Sequence, residues 1–161
     1  MRTYKNFLQR ESSIITISTN AGEVLLQEPS LVALYADTGK IISAGSEAQR
    51  ERKLLEQNGS IIGSPLMASI VADFDISVQM FKYFAMKARL RTIFMKPKIA
   101  VRVPIEMTQV ETQALMDVMF LAIPARSVLL NDESVFRPGS SSFPAKSHDY
   151  KFLIEISPPT N

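Results

Sequence analysis

Ile70-Val71-Ala72-Asp73-Phe74-Asp75-Ile76-Ser77-Val78-Gln79-Met80-Phe81-Lys82-Tyr83-Phe84 is the stretch on which the fold turns: a short apolar approach breaks at Asp75 and becomes an amphipathic helix. Ile76, Met80 and Phe84 recur at a spacing of four, which stacks them on one side of a 3.6-residue repeat and predicts a buried stripe. Asp75 reads as the N-cap, its carboxylate accepting from the free N–H of Ser77 or Val78 at the positive end of the helix dipole. The helix fades through Lys87, Arg89 and Arg91, cations that suit its negative end.

Upstream, the chain reads as sheet. Ile14-Ile15-Thr16-Ile17 is a β-branched run, Asn20-Ala21-Gly22 supplies turn chemistry, and Val24-Leu25-Leu26 completes a predicted hairpin. Pro29 touches the next apolar run only at its start, where a strand tolerates it. Leu31 to Tyr35 follows, and Asp37-Thr38-Gly39-Lys40 turns the chain back into Ile41 to Ala44. Ser46 is expected to cap a charged helix over Glu47 to Gln57, with Leu54 and Leu55 on one side and Asn58-Gly59 ending it. Ile61 to Val71, with Pro65 inside, is expected to be extended.

Downstream, Ile99-Ala100-Val101-Arg102-Val103 looks like a central strand apart from Arg102. Thr108-Gln109-Val110-Glu111 is a capping box, in which Thr108 accepts from the Glu111 N–H and Glu111 reaches back. Val110, Ala114, Leu115, Val118, Met119 and Ala122 supply the apolar face of that helix until Pro124 forbids continuation. Ser127 to Leu130 is a short strand, Arg137 to Pro144 reads as a mobile loop, and Tyr150 to Ile156 is a last strand stopped by Pro158-Pro159. Strands first, then helices alternating with strands, predict an α/β domain with a mixed β-sheet flanked by helices. The expected organisation is a basic and apolar segment over residues 1–12, one domain over 13–157 and a tail at 158–161.

Composition narrows the function. A length of 161 residues with 46% hydrophobic and 21% charged residues suits one soluble domain with its own core. Eighteen Lys and Arg against 16 Asp and Glu leave a net charge of +2, far from the basic field that a phosphate backbone requires, so nucleic acid is not an expected partner. No cysteine is present and His148 is the only histidine, which excludes a disulfide framework, a thiolate nucleophile and a His-based metal site. No run of about 18 apolar residues exists, and Met1 to Arg10 lacks the apolar centre of a signal peptide, so the expected location is the cytoplasm. Met1 to Arg10 does carry three cations beside Tyr4, Phe7 and Leu8. Such a segment can lie as a short basic helix on an anionic membrane, but ten residues make a marginal helix with little apolar area, and a frayed terminus is the favoured reading. His148 sits in a Ser- and Pro-rich stretch that supports no catalytic triad, and no Walker-type G-x-x-x-x-G-K-[ST] sequence occurs.

Several motifs in order carry a family resemblance. The opening stretch resembles the segment V-I-A-D-F-D, followed by a helix ending K-Y-F, of the bacterial actin homologue MreB. Gln27-Glu28-Pro29-Ser30-Leu31-Val32-Ala33 is similar to N-E-P-S-V-V-A, Thr38-Gly39-Lys40-Ile41 to T-G-K-V, and Gly45-Ser46-Glu47-Ala48 to G-E-E-A. Val103-Pro104 with Thr108-Gln109-Val110-Glu111 is similar to V-P-x-x-I-T-Q-V-E, and Arg126 to Glu133 to R-E-V-Y-L-I-E-E. The resemblance runs from about Gly22 to about Ser134 and implies an actin-like (ribonuclease H-like) fold, ATP with Mg, and assembly into filaments. It also makes Glu133 the match of the glutamate that faces the hydrolytic water.

The departures from that family set the functional expectation. Actin-like proteins hold ATP with a D-x-G-T loop on the first hairpin and a D-x-G-G-G-T loop opening the second domain, where glycines let backbone N–H groups close around phosphates. No strand with Asp and Gly precedes Ile14, and Ser157-Pro158-Pro159-Thr160 stands where the second loop has its glycines. The expectation is therefore a protein that is not an enzyme and holds no cofactor or metal, with Glu133 a vestige. It works as an actin-like interaction domain in a cytoskeletal or cell-shape setting, bound to a full-length MreB-type filament or to itself. The alternative is the first half of a split or truncated filament-forming ATPase, with ATP and Mg held once a second domain is supplied. In MreB the helix opening at T-Q-V-E contributes to contacts between antiparallel protofilaments, which nominates Glu106, Met107, Val110 and Gln113 as interface residues. For Val110, core packing is an equal reading, because core and interface positions share one helical period.

Overall fold

The computed structural model describes residues 8–90, 96–103, 106–123, 125, 127–132 and 150–159, the stretch 127–132 as backbone. Strand β1 (Ile14–Thr19) turns through Gly22 into β2 (Val24–Pro29). At φ 90° Gly22 occupies a conformation that side-chain-bearing residues avoid, which is what the turn signal requires. The chain continues through β3 (Val32–Leu34), β4 (Ile41–Ala44), the short helices α1 (Ser46–Arg50) and α2 (Arg52–Gln57), and β5 (Ile61–Gly63). A small hairpin of β6 (Leu66–Met67) and β7 (Ile70–Val71) leads into α3 (Phe74–Lys87). Then come β8 (Lys98–Val103), α4 (Gln109–Ala122), β9 (Ser127–Asp132) and β10 (Phe152–Ser157).

The main sheet has the order β2-β1-β10-β8-β9, and β3 joins β4 and β5 in a separate three-stranded sheet. Its last strand in sequence is central in space: β10 runs antiparallel to β1, Ile15 opposite Ile156, and parallel to β8, Ile154 beside Val101. Because successive side chains alternate between faces, Phe152, Ile154 and Ile156 all point into one core with Ile15, Ile17, Ile99, Val101 and Val103. Against that face lie the stripes of α3 (Ile76, Met80, Phe84, with Phe81) and of α4 (Leu115, Val118, Met119). Full burial of such side chains contributes about 1.5–3 kcal/mol each. A mixed sheet flanked by helices is therefore the observed architecture, as the alternation of elements predicts.

Four local expectations are corrected. The N-cap of α3 is Asp73, not Asp75: Asp73 has extended dihedrals and its Oδ1 accepts from the Ile76 N–H at 3.0 Å, while Asp75 falls inside the first turn. The motif offered two carboxylates, and the one that is also buried, at 3% exposure, takes the cap. Ser46 does not cap its helix with its side chain. Its backbone N–H instead donates to the Glu28 carboxylate at 2.6 Å, an acceptor supplied from β2, and Gly45 is the residue that leaves room for it. The helix expected over 47–57 is interrupted at Glu51, where φ −92° and ψ 6° depart from helical values, and nothing in the residue types explains the break. Val110 is 79% exposed and so is no part of the buried face of α4.

At the other end, residues 8–10 form no helix. Gln9 pairs with Ser64 through two backbone bonds of 2.7 and 2.8 Å, and Leu8 packs on the main core against Gly63, where a side chain would collide with it. Leu8 is thus committed to the protein rather than to a lipid surface, while residues 1–7 lie outside the described residues. Arg91, Glu133, the 137–144 loop and His148 also lie outside them. No helix among the described residues is long and apolar enough to cross a membrane.

Candidate functional site

The start of α4 is built as the sequence predicts. Thr108 Oγ1 accepts from the Glu111 N–H at 3.3 Å, and Glu111 accepts from the Thr108 N–H at 2.8 Å, so both orphan donors are satisfied. A helix end fixed in this way presents its first turn in one orientation. On that turn Val110 projects into solvent, and a groove of about 470 Å³ opens beside it, lined by Phe74, Gln109, Val110, Gln113, Ala114 and Asp117.

The groove brings together two of the four nominated interface residues, Val110 and Gln113, the latter donating to Asp117 at 2.8 Å along the helix. Glu106 is exposed ahead of the helix without lining the groove, and Met107 is half-buried against the main core. Sequence reading missed Phe74, which follows the cap of α3 and reaches the groove from the neighbouring helix at 37% exposure. It also missed Phe120 and Leu121, 45% and 58% exposed at the far end of α4. Spacing could have found Leu121: Val110, Ala114, Asp117 and Leu121 follow one another at four, three and four residues, a second stripe beside the core-facing one. The outcome is an apolar line with Gln113 and Asp117 set into it, the composition of a contact surface with polar punctuation.

A second depression, of about 420 Å³, lies at the end of β10 and is lined by Ile14, Thr16, Gln27, Glu28, Pro29, Ser157 and Pro158. This is where the resemblance places a glycine-rich phosphate loop. The described lining contains no glycine and no Lys or Arg, and its two prolines have no N–H to give. Its residues do not fit a nucleotide phosphate. No group of three or more His, Cys, Asp or Glu side chains able to hold a metal ion occurs among the described residues.

The model of the family described as MreB/Mbl protein matches residues 12–156. The cell shape-determining protein Mbl of Bacillus cereus is 34% identical over 105 residues, covering 64% of this chain and 31% of the relative. The cell shape-determining protein MreB of Escherichia coli is 26% identical over 138 residues, 83% of this chain and 39% of the relative. Among solved structures, MreB5 of Spiroplasma citri bound to ADP superposes with a TM-score of 0.63 at 23% identity, over 78% of this chain and 37% of that one. The AMPPNP-bound form of the same protein gives 0.64 at 21%. The chain thus spans less than two-fifths of the length of these relatives. With residues 12–156 of this chain matched by the family model and the actin-like sheet in place, this chain belongs to the MreB/Mbl family.

Proposed function

We propose that this protein is a non-catalytic interaction domain of the bacterial cell-shape cytoskeleton, working in the cytoplasm, where it associates with filaments of its own family or with a second copy of itself. The observation that carries the reading is Val110, 79% exposed on a rigidly capped helix and sharing one groove with Phe74 and Ala114. An apolar anchor with a polar rim is the usual anatomy of a protein contact. The relatives' names as cell shape-determining proteins supply the setting. The proline-walled depression at Ser157-Pro158 favours a domain that does not turn over ATP.

Sedimentation of the wild type and of Val110→Glu, alone and with an MreB-type filament, tests this function. The substitution is expected to abolish the oligomer or the filament complex while the thermal midpoint hardly moves. An unchanged sedimentation profile removes α4 as the docking surface.

A second reading, the first half of a filament-forming ATPase, is favoured by the nucleotide-bound state of the Spiroplasma citri structures that share the fold. It requires a second domain to bring the missing phosphate donors.

A further inference from the structure

We propose that Asn58-Gly59 is a site of spontaneous covalent modification, at which the chain converts its own asparagine amide to aspartate and isoaspartate. Asn-Gly occurs once in the sequence, and the fold leaves it accessible. Asn58 is exposed at the end of α2, and Gly59 holds φ 81° with nothing among the described residues within 4 Å of where its Cβ would stand. The step needs no partner but water. The Gly59 backbone nitrogen attacks Asn58 Cγ and closes a succinimide ring; the Cγ–Nδ2 bond breaks, and the proton of the attacking nitrogen leaves with the amide as ammonia. Water then cleaves the ring on one side of the nitrogen to give aspartate, or on the other to give isoaspartate, whose main chain runs through Cβ and Cγ. The missing Cβ of glycine is what lets the nitrogen approach. Asn20, also exposed in a turn, precedes Ala21, whose methyl group obstructs the same attack.

The last turn of α2 restrains the reaction. Asn58 N–H donates to Leu54 and Gly59 N–H to Glu56, each at 3.1 Å, and Ser60 N–H donates to Leu55 at 2.9 Å, so the nitrogen must leave Glu56 before it can attack. That release is easy, because α2 has six residues and no side-chain cap, and the ends of such helices open locally at little cost. Once formed, the product opposes reclosure. An isoaspartate lengthens the main chain inside the Leu55–Ser60 bond, and the new carboxylate stands at the negative end of the helix. Leu55, which packs with Leu31, Ala33 and Ala48, is the core residue that loses support.

Ageing of the full chain at mildly alkaline pH, followed by peptide mapping with mass spectrometry and isoaspartyl methyltransferase labelling, tests the site. The amide is expected to be lost at Asn58, with methyl label appearing there, while Asn20 keeps its amide. The thermal midpoint of the aged wild type is expected to fall below that of the fresh protein, and that of Asn58→Gln, whose longer side chain does not close the five-membered ring readily, is expected to stay where it was before ageing. An Asn58 that keeps its amide through an incubation that converts a free peptide of residues 52–64 overturns the site, as does equal loss at Asn20. Conversion at Asn58 with an unchanged midpoint overturns its effect on α2.

Discussion

Lys87 Nζ lies 2.6 Å from a Glu28 oxygen, joining the last turn of α3 to the end of β2. Glu28 is nearly buried and Lys87 half-exposed, so the pair is anchored on its carboxylate side. Burial pushes the Glu28 carboxyl upward, but the bonds from Lys87 and from Ser46 outweigh it and hold the group below its ordinary value.

The sign of the pH effect follows. A carboxyl whose value is lower folded than unfolded stabilises the fold above its ordinary range near 4.5 and loses that contribution as the pH falls through the folded value. Lys87→Met is expected to cost about 1.5 kcal/mol at pH 7, the low end for a charge-assisted bond because the lysine is half in water. Urea titrations at pH 7 and pH 3 check this. The deficit should be smaller at pH 3 than at pH 7, and a deficit independent of pH would mean that the lysine stem, not its charge, does the stabilising.

Among the described residues, two with side chains occupy left-handed backbone, Ala68 at φ 55° and Arg89 at φ 57°. Arg89 closes α3 in a Schellman arrangement, with Leu90 N–H donating to Ala85 and Arg89 N–H to Met86, a position that glycine fills most easily. Arg89→Gly and Ala68→Gly are each expected to stabilise by about 0.5–1 kcal/mol, the relief of strain exceeding the entropy that glycine adds to the unfolded chain. Raised thermal midpoints in calorimetry are the expected readout, and a drop at either site would refute the strain there.

The corrected cap makes its own prediction. Asp73→Ala should cost about 1–2 kcal/mol, as Asp73 is a buried cap, whereas Asp75→Ala should cost no more than about 0.5 kcal/mol through the helix dipole. Thr108→Ala should cost about 1 kcal/mol, and Met80→Ala, fully buried, about 2–5 kcal/mol. Urea unfolding of the four variants gives the ranking, and Met80→Ala as the mildest would contradict the packing of α3.

How far the sequence could be read depends on whether the signal is local. The stripe Ile76-Met80-Phe84 and the Thr108-Glu111 box are local patterns, and both stand in the structure as read. The centrality of β10 is not local: Pro158-Pro159 signals where the strand stops, not which strands flank it. Glu28 escaped for the same reason, since its role as the acceptor for α1 is set by a residue 18 positions away. Val110 shows the limit of periodicity, because the second stripe through Ala114 and Leu121 uses the same helical repeat as the buried one.

Mg-ATP is expected not to bind this chain on its own with useful affinity. A phosphate cradle supplies about three to five backbone N–H donors, each charge-assisted bond contributing about 1.5–3 kcal/mol. At the end of β10 the described lining instead offers Ser157 and Pro158 beside Pro29, with no Lys or Arg, and its Glu28 carboxylate is already paired with Lys87, so the described lining supplies no cation to neutralise a phosphate. Isothermal calorimetry with Mg-ATP on the isolated chain decides the matter. Flat heats are expected, whereas a micromolar dissociation constant would overturn the non-catalytic reading and promote the ATPase half, with donors then to be sought outside the depression at Ser157.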